Sequence, residues 1–131
     1  MTSKAYFVGG RAQFNNANDF KYRLEGLSSS TGLLLTSDNA EQFFKDGATI
    51  LSYTVTQQTA PNGTTQYHLG IDGTNLASTE ISFVSTTGTT EVFPDATDEV
   101  VLTGEGLHAR GKRLSGTIKP IMSFSVKVLR L

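Results

Sequence analysis

Residues 49–71, running from Thr49 to Ile71, read TILSYTVTQQTAPNGTTQYHLGI, and this stretch decides the fold class. In Thr49–Gln57, Leu51, Tyr53 and Val55 alternate with Ser52, Thr54 and Thr56. A period of two marks a strand with one apolar face and one wet face. Pro61-Asn62-Gly63 follows, and Asn-Gly favours a type I′ hairpin because both central residues tolerate a positive φ. The segment Thr64–Ile71 alternates again, with Tyr67, Leu69 and Ile71 inward and Gln66, His68 and Gly70 outward. Asp72-Gly73 offers a second tight turn and leads into Thr79–Ser85, with Ile81 and Phe83 inward. These signals predict three consecutive strands in an antiparallel meander.

Outward from this stretch the pattern stays β. Lys4–Val8 and Asp19–Glu25 alternate, Asp98–Gly104 carries Val100, Val101 and Leu102, and Ile118–Leu131 places Met122, Phe124, Val126 and Val128 on one face. Leu33-Leu34-Leu35 reads as a short segment buried on both sides. One short helix is expected near 39–45. Asp38 can cap it, Glu41 stands three residues on, Phe43 and Phe44 share a face with Ala40, and Asp46-Gly47 ends it. At two turns it must pack its phenylalanines on the sheet. Thr, Ser and Gly make up about a third of the 131 residues, which suits strands and tight turns. The expectation is therefore an all-β, mainly antiparallel chain of seven or eight strands with one short helix. It forms a single domain over residues 1–131, as a β-sandwich or a small β-barrel.

The net charge of −1 hides a segmental split. Residues 26–105 carry ten acidic residues against Lys45 alone, whereas residues 106–131 carry six basic residues and no acidic one. There are no cysteines, which excludes disulfides, thiolate catalysis and Cys-based zinc sites. No apolar run approaches the ~18–20 residues of a membrane-spanning helix. Met1–Val8 turns glycine-rich after four apolar residues and does not read as a secretory signal, so cytoplasmic synthesis is the expectation. Asn62-Gly63-Thr64 matches a glycosylation acceptor, but the turn reading accounts for the same residues.

Gly106-Leu107-His108-Ala109-Arg110-Gly111-Lys112 fits the first seven positions of a phosphate-binding loop. That loop needs Ser or Thr next and a helix behind it. Arg113 stands eighth, and Leu114–Pro120 does not read as helix, so the segment is read as an exposed basic loop between strands. His68 and His108 are the only histidines; forty residues apart and without cysteine, they are weak metal ligands. Asp95, Asp98 and Glu99 lack the alternating ladder of a calcium loop and read as an acidic turn. No Gly-x-Ser-x-Gly elbow accompanies the serines. No metal, no cofactor and no enzymatic activity is expected.

Two patterns remain. Lys4, Arg11, Lys21 and Arg23 interleave with Tyr6, Phe7, Phe14, Phe20 and Tyr22, a mixture that single-strand nucleic-acid binders use. The alternation assigns most of these aromatics to the core, and a pI near 6 is far from a basic domain. The charge split instead suits a surface that meets an acidic partner or another copy of the chain. His108, Arg110, Lys112 and Arg113 form the basic side of that contact, with Asp95, Asp98 and Glu99 as its acidic counterpart. The leading expectation is a non-enzymatic structural protein, such as a capsid decoration or tail component of a phage-type virion, whose partner is itself or another structural protein. Single-stranded nucleic-acid binding is the alternative. A ligand-binding barrel or a cofactor-free isomerase or cyclase is the third reading, and it requires a hollow interior.

Overall fold

The computed structural model describes residues 4–13, 20–22, 43–72, 74–118 and 121–131. Ten strands run in chain order: β1 (Lys4–Gln13), β2 (Phe20–Tyr22), β3 (Ala48–Gln57), β4 (Thr64–Ile71), β5 (Thr74–Asn75), β6 (Ile81–Val84), β7 (Gly88–Val92), β8 (Val100–Val101), β9 (Leu107–Arg113) and β10 (Ile121–Arg130). They form two antiparallel five-stranded sheets. The first has the order β1-β10-β3-β7, with β8 also on β3; the second has the order β2-β9-β4-β5, with β6 also on β4. The architecture is an all-β sandwich.

The alternation read from the sequence becomes the core. Tyr53 and Val55 of β3 and Met122, Phe124, Val126 and Val128 of β10 are buried in the first sheet. Tyr67 and Leu69 of β4, Ile81 and Phe83 of β6, and Leu107 and Ala109 of β9 face them from the second sheet. One residue departs from its expected side. Leu51 is only half-buried, and Ile50 takes the core position instead. Lys127 pairs with Ser52 and Val128 with Ile50, so Leu51 is the inserted residue of a β-bulge. A bulge resets the two-residue period, and the alternation on its two sides is out of step.

The expected hairpin across Pro61-Asn62-Gly63 does not form. β3 pairs with β10, β7 and β8, whereas β4 pairs with β9, β5 and β6. The connection carries the chain from one sheet to the other, so the apolar faces of β3 and β4 meet across the core rather than edge to edge. Of the meander, the later part stands. Asp72, at φ 51, turns β4 into β5 with Ile71 opposite Thr74, and β6 lies on the same edge of β4. Between them Ala77–Thr79 forms a 3-10 turn. It is anchored where Leu76 N donates to Leu69 O (2.8 Å) and Leu69 N to Thr79 Oγ1 (2.9 Å).

Asn62 acquires another role. Its Oδ1 accepts from Thr117 N (2.7 Å) and Ile118 N (3.0 Å), and its Nδ2 donates to Thr117 Oγ1 (3.0 Å). Gly116, at φ +90, lies so close that a Cβ there would stand 2.5 Å from Asn62 Oδ1. The connection between β3 and β4 is thereby clasped to the one between β9 and β10.

Of the helix expected near 39–45, residues 39–42 lie outside the described residues. Phe43 and Phe44 are not helical, and Phe44 O accepts from Gly47 N in a turn. Phe44 is buried, whereas Phe43 is exposed. Leu33-Leu34-Leu35 also lies outside the described residues. The strand expected over Asp98–Gly104 shortens to Val100–Val101. β7 had no clear periodic signal, since Gly88–Val92 holds a single apolar residue.

A polar group is tied into the apolar core. Gln57 of β3 is 1% exposed; its Oε1 accepts from both Thr65 Oγ1 and Tyr67 Oη at 2.6 Å, and its Nε2 donates to Thr86 O at 2.7 Å. Tyr53 Oη is buried without a hydrogen-bond partner among the described residues. Burial pushes both phenols well above the usual tyrosine range.

Two outcomes are expected. Tyr67→Phe lowers stability by about 1–2 kcal/mol because Gln57 loses a donor, whereas Tyr53→Phe leaves it unchanged or raises it by up to about 1 kcal/mol. Both phenols must stay neutral in the folded protein, while in the unfolded chain they ionise above about pH 10. Stability is therefore fully present below that pH and falls as pH rises beyond it, by up to about 1.4 kcal/mol per pH unit for each tyrosine, a slope that Tyr53→Phe reduces. Urea midpoints between pH 8 and pH 11 measure both. Removal of the Asn62 clasp by Asn62→Ala costs about 1–2 kcal/mol in the same assay.

Candidate interaction surfaces

The basic segment does not form an exposed loop. Leu107–Arg113 is β9, paired along its length with β4 and on its other side with β2. Leu107, Ala109 and Gly111 stand opposite Ile71, Leu69 and Tyr67 on the core face. The glycine-rich spacing that resembled a phosphate loop is thus a strand in which small residues meet large neighbours. His108 and Arg110 alternate onto the outer face of the second sheet, and the register aligns His108, Arg110 and Lys112 with Gly70, His68 and Gln66.

Cross-strand pairing assembles residues that are distant in sequence. Lys21 of β2 lies opposite Arg110, and Arg110 lies opposite His68. One row therefore joins the N-terminal basic segment to the C-terminal one. Lys112 stands opposite Gln66, whose Nε2 donates to Glu80 Oε1 at 2.5 Å. Arg110 is half-buried. Arg113 pairs with Thr65 and so takes the core-side parity at the strand end; it is also half-buried, with Nε and Nη1 out of solvent.

Both histidines are buried. His68 is 4% exposed and His108 is 0% exposed, although both stand on the face that the alternation marks as wet. His108 is therefore not a solvent-facing member of a basic loop. Its imidazole lies over Gly70: a Cβ on Gly70 would come 2.4 Å from His108 Nε2 and 3.1 Å from Thr74 O. The glycine in β4 is the space that the ring fills, a close approach that glycine in a strand permits.

The acidic turn is ordered by its own carboxylates. Asp95 Oδ1 accepts from Asp98 N (2.9 Å) and Thr97 N (3.1 Å), and Asp98 Oδ2 accepts from Ser78 N (3.0 Å) and Ser78 Oγ (2.5 Å). The turn is thereby fastened to the 3-10 segment of the other sheet. Glu99 is half-buried, and its carbonyl accepts from Ile50 N at 2.7 Å. Asp95 remains exposed and, farther back, so does Glu91 on β7. Among the described residues no cluster of three or more His, Asp or Glu side chains is arranged to hold a metal ion. No helix among them is long and apolar enough to cross a membrane.

Gly70→Ala is expected to cost about 1–3 kcal/mol, the usual range for overpacking. Its combination with His108→Ala should cost less than the sum of the two, because His108→Ala removes the imidazole that the added methyl would strike. A double-mutant cycle by urea denaturation reads the coupling.

No protein-family model and no curated protein matches the sequence. Solved structures do. The chain is similar in fold to a chain of the acidic stable capsid structure of Helicobacter pylori bacteriophage KHP30, with a TM-score of 0.57 and 11% identity, over 97% of this chain and 87% of that one. It is also similar to a chain of the cyanophage Pam1 capsid asymmetric unit, with a TM-score of 0.54 and 11% identity, over 98% of this chain and 86% of that one. At such identity the likeness is one of fold.

Proposed function

We propose that the protein is a non-enzymatic structural subunit of a virion, a capsid decoration or tail component, that docks on neighbouring subunits through charge-complementary surfaces. The observation that carries this reading is the likeness in fold, over nearly the whole chain, to chains of two phage capsid structures. The physical character of the domain supports it. Buried side chains from both sheets form one apolar cluster, and the buried Tyr67 hydroxyl is engaged by Gln57. That interior suits a packed building block. In this reading Arg110, Lys112 and Arg113 of β9, with Lys21 beside Arg110, are the cationic side of a contact with an acidic neighbour. Asp95, Asp98 and Glu99 are the acidic side, held in a fixed geometry by the bonds that fasten their turn. Charge matching of this kind sets partner choice and register more than affinity.

Size-exclusion chromatography with light scattering, followed by negative-stain microscopy, tests the reading. The expected result is association that rises with protein concentration and weakens with salt. A protein that stays monomeric at high concentration, and that retains single-stranded DNA with a steep salt dependence lost in an Arg110→Ala, Lys112→Ala, Arg113→Ala variant, would reverse it in favour of nucleic-acid binding.

A further inference from the structure

The charge split of the sequence maps onto the two edges of one sheet. In the order β1-β10-β3-β7, β1 carries Lys4 and Arg11, and the adjacent β10 carries Lys127 and Arg130. Neither strand contains an acidic residue. β3, in the middle, has no charged residue at all. The opposite edge, from β7 through the turn to β8, spans residues 88–101 and carries Glu91, Asp95, Asp98 and Glu99 with no basic residue. The sheet is thus basic at one edge, neutral in the middle and acidic at the other.

Among the described residues, no strand pairs with the outer side of β1 or of β7. β1 runs ten residues in unbroken register against β10, without proline or bulge. A long, regular edge of this kind is a template for another strand. From these observations we infer that copies of the chain join head to tail through this sheet, β1 of one copy pairing with β7 of the next. The inference rests on the assembly reading above and names its partner, a second copy, and its surface.

Strand direction fits the contact. Each neighbouring pair in the sheet is antiparallel, so β7 runs opposite to β1, and a neighbour displaced along the sheet presents β7 antiparallel to β1. That is the better-bonded ladder. Charge selects this pairing over the symmetric one. β1 carries only basic charge, so two β1 strands side by side bring like charges together, whereas β1 against β7 sets basic against acidic. An exposed aromatic lies at each edge. Phe7 of β1 is 65% exposed, with Lys127 Nζ 5.8 Å from its ring centroid, and Phe93, next after β7, is 68% exposed. Aromatics of this kind are enriched at protein interfaces. The contact is heterologous, so it extends into a ring or a lattice, with a step of roughly 19 Å for four strands spaced 4.7–4.9 Å apart.

The test is a charge swap on the full chain. One variant carries Lys4→Glu and Arg11→Glu, which makes both edges acidic; the other carries Glu91→Lys and Asp95→Lys, which weakens or reverses the acidic edge. Circular dichroism and urea midpoints establish that each is folded, and Glu91→Lys alone replaces the double change if the Asp95 turn is disrupted. Each variant alone is expected to associate about tenfold more weakly than the wild type by sedimentation velocity, and an equimolar mixture is expected to recover association. Hydrogen exchange of the wild type should show slower exchange in β1 and β7 at high protein concentration than at low. Wild-type-like association of both variants, or a mixture that does not recover, overturns the inference. Association without added protection at β1 and β7 overturns the edge contact but spares the assembly reading. A wild type that never associates removes the self-contact altogether.

Discussion

The side chain of Gln57 crosses from one sheet to the other, and the sandwich is organised around that crossing. It leaves β3 in the first sheet, receives the hydroxyls of Thr65 and Tyr67 from β4 in the second, and donates to Thr86 O. A buried amide is tolerated only where its partners are met. Satisfying Gln57 therefore fixes how β3 lies over β4, in a way that apolar contacts, which carry no direction, do not. The residues around it follow from that placement. Phe83 sets its ring edge-on to Tyr67 with centroids 6.0 Å apart, and Tyr53 and Val55 lie in the same core.

Face-to-face stacking of β3 and β4 also determines what is left at the surface. Because β4 belongs to the second sheet, β3 takes β10 on one side and β7 with β8 on the other. An uncharged strand thus separates a basic pair of strands from an acidic edge. In the second sheet β9 is held between β2 and β4, which buries His108 and draws Arg110 level with Lys21 and His68. Two charge patterns result. One is spread along the edges of the first sheet, and the other crosses the outer face of the second.

The polar residues of the turns serve the same geometry. Asp98 bonds Ser78 from across the sandwich, and Asn62 bonds the connection between β9 and β10. Each joins segments far apart in sequence, so each closes a loop whose entropy must be offset by the contacts that follow. In both cases the same side chain would suit a local turn. The residue type announces a turn or cap, and only the fold reveals which distant backbone it reaches.

The sequence by itself determined the β class, because alternation at Tyr53-Val55, Tyr67-Leu69, Ile81-Phe83 and Met122–Val128 is set by the two-residue period of an extended chain and is local. The turn at Asp72 is legible too, because turn preference is local. Tertiary structure alone decided which strands pair. Asn62-Gly63 carries the local signal of a hairpin, yet a strand's partner depends on hydrogen bonds to residues far away in sequence, as Lys4 pairs with Arg130, and these leave no periodic trace. The bulge at Leu51 was hidden because it is defined by the register of β10. The basic segment read as a loop because Gly106, Gly111 and the charges of Arg110, Lys112 and Arg113 obscure its alternation. Their place in a central strand follows from β2 and β4 closing on either side, where small residues are needed beneath large ones. The charge split was plain in the sequence, but its division between opposite edges of one sheet is a product of strand order.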